Sequence, residues 1–189
     1  MLLIIDCGSS KVPYIEQMVD EYCDFKTVAF FDLTLEMADE ANGLIFSGAP
    51  ILITEMEIVK FTKHIEWIKE YKKPILGICF GHQLLGLIHG ANGSRMKEDR
   101  DWQEIESYCE SPLLDKFPIV FDMMEDHCES ISTPPDFDLV ASSDACVNEM
   151  MQHKSKPFFG VQFHPEVSGN LGSLLIENFV KLSIQTSSK

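Results

Sequence analysis

The sequence predicts an α/β fold: an open, mostly parallel sheet with helices on both faces, plus a small mixed or antiparallel extension. Three observations lead there. Between Leu2 and Gly90, short apolar strand-like runs alternate with segments of helical period, the pattern of a parallel sheet whose crossovers are helices. Between Glu104 and Gln152 the helical period gives way to short alternating segments separated by turns. The chain has 189 residues with 45% hydrophobic and 24% charged side chains, a globular balance suited to a single domain over 1–189.

The elements follow in order. Leu2–Ile5 is a short buried strand that runs into the loop composition Asp6-Cys-Gly-Ser-Ser10. Val12, Ile15, Met18, Val19 and Tyr22 recur at helical spacing. Phe25–Phe31 is rich in aromatic and β-branched residues, a second strand. Leu44–Phe46 is a third, closed by Ser47-Gly-Ala-Pro50, and the acidic run Glu36–Glu40 before it reads as a solvated face. Ile58, Phe61, Ile65 and Ile68 mark a helix reaching Tyr71, and Pro74–Ile78 is a fourth strand. Phe80–His89 is helical and stops at Gly90. Glu104–Tyr108, Ile119–Phe121, Leu139–Ser142 and Glu149–Gln152 form the extension, Phe158–Phe163 a further buried strand, and Leu171–Leu182 a closing helix. The polar tail Gln185–Lys189 is expected to fray.

Charge and cysteine usage narrow the function. Thirty acids against fifteen bases give a net charge of −15, which repels phosphate backbones and anionic lipid, so neither nucleic acid nor a membrane is an expected partner. The six cysteines are scattered without a C-x-x-C pair. That spacing, the lack of a basic leader and the lack of a membrane-length apolar run predict free thiols, a cytoplasmic setting, no metal and no cofactor.

Two segments carry chemistry. Pro74-Ile-Leu-Gly-Ile-Cys-Phe-Gly-His-Gln83 places Cys79 between a strand and a helix, with Gly77 and Gly81 two residues to either side. A sharp turn there projects the sulfur at the carboxyl edge of the sheet, where open α/β folds bind ligands. The first helical N–H, that of Phe80, has no intrahelical partner and is free to donate to an oxyanion. Taken alone, a five-residue pattern is as well explained by a core cysteine. Phe159-Gly-Val-Gln-Phe-His-Pro-Glu-Val167 supplies a second feature. In extended backbone His164 and Glu166 point the same way, so a carboxylate can hold one ring nitrogen while the other faces a nucleophile. His82 suits a packing position and His89 a helix C-terminus, where it interacts with the dipole; His127 suits a surface loop better than the lining of the cleft, and Cys7 the core better than a second reactive thiol.

Gly77-Ile-Cys-Phe-Gly-His-Gln83 and Gly160-Val-Gln-Phe-His-Pro-Glu-Val167 resemble the two signature blocks of class I glutamine amidotransferases, Ser47-Gly-Ala-Pro50 their oxyanion turn, and Ile4-Ile-Asp-Cys-Gly-Ser9 their first strand and loop. The likeness spans nearly the whole chain and implies that family's flavodoxin-like sheet. It also implies roles: Cys79 as nucleophile toward the amide of L-glutamine, His164 as acid and base, Glu166 orienting it, Ala49 and Phe80 donating the oxyanion hole, and Gly48 and Gln83 contacting substrate. Within the class the chain is most similar to the separate glutaminase subunits of two-subunit GMP synthases. That likeness implies a partner, an ATP-dependent synthetase subunit. The chain departs from that group in the alanine at 49, in lacking a Glu-Tyr pair near Asp99 and Arg100, and in the loop Met124–Ser130. A free-standing hydrolase of γ-glutamyl bonds or small amides is the alternative.

Overall fold

The computed structural model describes residues 1–186. Its sheet has nine strands, in the spatial order β2 (Phe25–Ala29), β1 (Leu2–Asp6), β3 (Leu44–Phe46), β4 (Ile75–Ile78), β9 (Phe158–Val161), β8 (Met150–His153), β7 (Phe137–Ser142), β5 (Gly93–Ser107) and β6 (Val120–Ile131). Five are parallel: β1, β2, β3, β4 and β9. Their side chains alternate between two apolar layers. Leu3, Ile5, Leu44 and Phe46 pack on one face with Phe61 and Phe80, while Leu2, Ile4 and Ile45 pack on the other with Ile15, Ile176 and Phe179. Continuous apolar strands are thus buried on both sides, as a parallel sheet requires.

Helices α1 (Val12–Asp20) and α5 (Gly169–Thr186) cover the second face; α2 (Leu35–Glu40), α3 (Val59–His64) and α4 (Phe80–Ile88) cover the first. In α1 the positions Val12, Ile15 and Val19 are buried, the stripe expected from the spacing. The helix ends before Tyr22, which is exposed.

Two local expectations differ, one strand end and one helix, while the acidic run is the solvated face expected, exposed at Glu36, Asp39 and Glu40, and takes helical form. The strand expected over Phe25–Phe31 stops at Ala29, and Phe30–Asp32 is a 3-10 turn that buries Phe30 and exposes Phe31. The acidic run is helical: the Thr34 hydroxyl accepts from the Met37 N–H at 3.3 Å as an N-cap, and only Ala38 of α2 is fully buried. The helix expected from Ile58 to Tyr71 is broken at Ile65 (φ −113°, ψ 20°), after which Glu66–Glu70 continues as a 3-10 turn. Each of these is decided by which side chain the core accepts, and propensity carries little of that information.

The antiparallel half is larger than expected. It comprises β5 (Gly93–Ser107), β6 (Val120–Ile131), β7 (Phe137–Ser142) and β8 (Met150–His153). Strands β5 and β6 form a long hairpin with an irregular register between Arg95 and Asp99. Residues 187–189 of the tail expected to fray lie outside the described residues. Among the described residues no helix is long and apolar enough to cross a membrane.

Candidate active site

The carboxyl ends of β1, β3, β4 and β9 converge on a cavity of about 430 Å³, lined among others by Ser9, Ala49, Cys79, Gln83 and His164. Cys79 follows β4 directly and caps α4 with φ 49° and ψ −103°, a strained backbone for a residue with a side chain. Two bonds hold it there: its N–H donates to Val161 O at 2.8 Å, and its carbonyl accepts from the Gln83 N–H at 3.0 Å. The flanking glycines make the turn possible by close approach. A Cβ on Gly77 would stand 2.5 Å from Gly81 O, and one on Gly81 2.5 Å from Phe46 O.

His164 lies beyond β9, its N–H donating to Met124 O at 2.9 Å and its carbonyl accepting from Ser168 Oγ at 2.6 Å. Its Nδ1 meets Glu166 Oε1 at 2.7 Å, and both side chains are buried. Burial works against the imidazolium, but hydrogen bonds and charge from Cys79 and Glu166 outweigh it and lift the ring to about 10. The turn after β3 closes on the same point. A Cβ at Gly48 would be 3.2 Å from His164 Cε1 and 3.5 Å from Cys79 Cβ. Ser47 Oγ donates to Gly48 O at 3.0 Å and accepts from Cys7 N at 2.9 Å. The Gly48–Ala49 peptide is trans, so the Ala49 N–H points opposite to that pinned carbonyl.

The structure therefore brings Cys79, His164, Glu166, Gly48, Ala49 and Phe80 to one place. Gln83 lines the cavity too, but its amide N–H₂ is committed internally, to Glu129 O at 3.1 Å and Gln162 Oε1 at 3.0 Å. Gln162 is a residue that the sequence motifs did not single out. Its Nε2 sits 3.6 Å from Cys79 Sγ, and its place directly after β9, two residues before His164, is the signal that marks it.

The remaining histidines and Cys7 divide by burial. His82 is fully buried, and burial holds it down to about 3, hence neutral. Burial and the neighbouring His153 bring His89 to about 4. Burial pushes the Cys7 thiol up to about 12, as befits a core position. His127 is not on the surface loop expected for it. It lies buried in β6, where its Nδ1 bonds Glu129 O at 3.0 Å and its Nε2 lies 3.2 Å from Glu125 Oε2.

His127 belongs to a buried acidic cluster that local sequence pattern does not reveal: Glu125, Glu149 and Asp99 are all nearly inaccessible. Burial raises Glu125 to about 8, and burial together with the charge of Glu125 puts Glu149 well above the usual carboxylate range. His127, Cys146 and Glu149 each bring a donor within 4.8 Å of the others, as do His89, Asp136 and His153. In the second group Nδ1 of His153 already accepts from Ser155 N (3.0 Å) and Lys156 N (3.1 Å), which puts the neutral ring's proton on Nε2 and leaves no lone pair for a cation. In the first, a carbonyl fixes the His127 proton on Nδ1, and Nε2 can accept a proton-bearing Glu125, so protons alone satisfy the group.

This cluster has a consequence for stability. A carboxyl whose folded pKa is raised contributes stability that is complete below its unfolded value and is lost as pH rises through the folded value. From the ordinary carboxylate range up to about 8, Glu125 therefore costs up to about 1.4 kcal/mol per pH unit. Thermal melts of the wild type are expected to fall between pH 5 and pH 8 more steeply than those of Glu125→Gln. Parallel slopes would remove Glu125 as the source.

The class I glutamine amidotransferase sequence profile matches residues 3–182. The chain is 38% identical to the A subunit of the glutamine-hydrolysing GMP synthase of Pyrococcus furiosus over 148 residues, 77% of each chain. It is 33% identical to that of Methanocaldococcus jannaschii over 96% of this chain and 97% of the relative. A solved structure of a protein assigned as the A subunit of a GMP synthase, from Thermoplasma acidophilum, superposes with a TM-score of 0.90 at 26% identity, covering 99% of this chain and 95% of that one. A glutamine amidotransferase from Thermotoga maritima shares the fold with a TM-score of 0.74 at 21% identity, covering 100% of this chain and 85% of that one.

Proposed function

The chain belongs to the class I glutamine amidotransferases, and from that premise we propose that it is a glutaminase subunit that supplies ammonia to a separate, ATP-dependent GMP synthase partner. The observation that carries the reading is the His164–Glu166 contact of 2.7 Å set against Cys79 on a strained strand-to-helix turn, all at one cavity.

In this mechanism the Cys79 thiolate attacks the side-chain amide carbon of glutamine, and the carbonyl π electrons move onto oxygen. The N–H groups of Ala49 and Phe80 receive that oxyanion; two preorganised donors can lower such a barrier by several kcal/mol. The His164 imidazolium gives its proton to the departing nitrogen, ammonia leaves, and a γ-glutamyl thioester remains. His164 then takes a proton from water as the hydroxide adds to the thioester carbon, and collapse returns glutamate and the free sulfur. Glu166 holds Nδ1 throughout, so that Nε2 is the atom that exchanges the proton. Gly48, without a side chain, leaves room for the amide beside His164 and Cys79, and Gln83 stiffens the wall of the cavity through Gln162 and Glu129.

The test is reconstitution. A separate synthetase subunit from a GMP synthase, mixed with this chain, is expected to form GMP from glutamine and to raise ammonia release above that of the chain alone. Efficient hydrolysis of γ-glutamyl conjugates by the isolated chain, with poor use of glutamine and no response to the synthetase, would establish the free-standing hydrolase instead.

A further inference from the structure

Among the described residues, two polar side chains reach the sulfur of Cys79. His164 is one, coupled to the sulfur by hydrogen bonding and charge. The other is Gln162, directly after β9, whose Nε2 lies 3.6 Å from Sγ. Gln162 is fully buried and Cys79 is only 7% exposed, so little water competes for either. Backbone contacts fix the approach. The Cys79 N–H donates to Val161 O and the Gln162 N–H to Glu149 O, each at 2.8 Å, which holds the two segments side by side.

Which end of the Gln162 amide faces the sulfur follows from its other partner. Gln83 Nε2, on α4, bonds both Glu129 O at 3.1 Å and Gln162 Oε1 at 3.0 Å. A backbone carbonyl has no proton to give, so Gln83 must present its NH₂ end to Glu129. The same NH₂ group meets Gln162, which can answer only with its carbonyl oxygen. An amide that accepts at Oε1 turns its own NH₂ the other way, toward Cys79. The reverse orientation would set two NH₂ groups against each other and a carbonyl oxygen against the sulfur, in a buried place where each unmet donor is costly. The residue that starts the series is itself held, because the Glu129 carboxylate accepts from the backbone N–H groups of Ile53 and Thr54.

We propose that Gln162 is a catalytic residue whose side-chain N–H stabilises negative charge on the Cys79 sulfur, with Gln83 and the Glu129 carbonyl as the groups that position it. The inference deepens the glutaminase reading and rests on it, since it takes Cys79 as the nucleophile. The part played by Gln162 differs from that of His164. An amide N–H gives up no proton in the cycle, so it faces the sulfur unchanged whenever the sulfur carries charge. That is the case in the resting thiolate, and again when the thioester C–S bond breaks and its electron pair returns to sulfur. Between those stages His164 has passed its proton to ammonia and taken another from water. Two acids also line the cavity, but each has its own partners: Glu129 is tied to Ile53 and Thr54, and Asp126 to Lys11 Nζ at 2.9 Å.

Alkylation by iodoacetamide reads the thiolate directly and needs neither glutamine nor the synthetase. Its rate at Cys79, resolved from the other cysteines by peptide mass spectrometry, is measured against pH for wild type, Gln162→Leu, Gln162→Glu and Gln83→Met. A hydrogen bond to a charged group sets the scale: the Gln162→Leu profile is expected to move to higher pH by about one unit, a change of about tenfold. Its plateau at high pH is expected to equal or exceed that of wild type, because a less stabilised thiolate is the better nucleophile. Gln162→Glu keeps an oxygen for Gln83 but sets a carboxylate against the sulfur, and is expected to move the profile further. Gln83→Met frees the Gln162 amide to turn, and is expected to move it the same way by less. A merely structural role would lower the plateau and the melting point and leave the midpoint in place. With the synthetase present, kcat near neutral pH is expected to fall about tenfold in Gln162→Leu, with the KM for glutamine little changed. Should Gln162→Leu fail to fold, the profiles of Gln162→Glu and Gln83→Met decide the question. Unmoved midpoints in the folded variants would overturn the proposal and leave the glutaminase reading standing. Failure of wild type to use glutamine, alone or with the synthetase, would overturn the glutaminase reading and with it the catalytic role of Gln162, while the alkylation profiles would still tell whether its N–H acts on the sulfur.

Discussion

Cys79→Ala is expected to lower glutamine turnover by about 10³-fold or more while the protein still folds, because Cys79 is the nucleophile placed against His164 at the cavity. Cys79→Ser is expected to fall nearly as far, since a hydroxyl ionises far less readily than a thiol. The assay is ammonia release with the synthetase partner present, read beside a thermal melt. A second readout comes from His164. In the wild type the ring is held to about 10 against the effect of burial, with Cys79 and Glu166 as the groups that raise it. Removing the sulfur leaves Glu166 alone, so NMR titration of the variant is expected to find His164 losing its proton at a lower pH. The stability the imidazolium contributes is complete below the ordinary histidine value and lost as pH rises through the folded one. The variant's loss therefore moves to lower pH than the wild type's. Turnover at the wild-type rate would exclude Cys79 as nucleophile, and an unmoved His164 would separate the two side chains electrostatically.

The second large effect is expected at a residue just outside the second signature block, six positions after Glu166. Gly172 lies in the first turns of α5, and a Cβ there would stand 1.9 Å from Pro165 O and 3.0 Å from Ser168 Cβ. The obstacle is backbone, which cannot swing aside as a long side chain can. Pro165–Val167 is the 3-10 turn that carries Glu166 and adjoins His164, and the Pro165 carbonyl already accepts from Ser168 N at 3.1 Å. Gly172→Ala must therefore push α5 and this turn apart. Overpacking of this sort costs about 1–3 kcal/mol, read as a melting point lower by about 2–4 °C per kcal/mol in a domain of this size. Because the turn sets the His164–Glu166 contact of 2.7 Å, kcat is expected to fall at least about tenfold, the cost of a modest misplacement of catalytic groups. A variant with wild-type melting point and kcat would show that the helix yields without disturbing the turn.

Much of the site was legible because its grammar is local. Cys79 was recognisable from the strand before it, the helix after it and the glycines two residues to either side. His164 and Glu166 were recognisable from their spacing around Pro165, although the contact is made across a 3-10 turn and not along the extended backbone expected. The parallel strands were legible because doubly buried strands read as unbroken apolar runs. What the sequence obscured depends on long-range packing. Phe30 and Phe31 both look like strand residues, yet only one is accepted by the core, and the chain turns there. Glu125, Glu149 and Asp99 look like ordinary surface acids, and their burial follows from how β5, β6 and the segment entering β8 pack together.

The order of charges along the polymer, the turn that carries Cys79 and the pairing of His164 with Glu166 belong to the sequence alone, since each follows from neighbours within a few residues. The tertiary structure alone decided that these pieces share a cavity, that β6 brings Asp126 to its rim and Glu125 beneath it, and that α5 presses Gly172 onto the turn of Glu166. The physical reason is register: strand pairing and helix docking join residues far apart in the chain, and one position of slip along β6 would exchange the ionised rim for the buried acids.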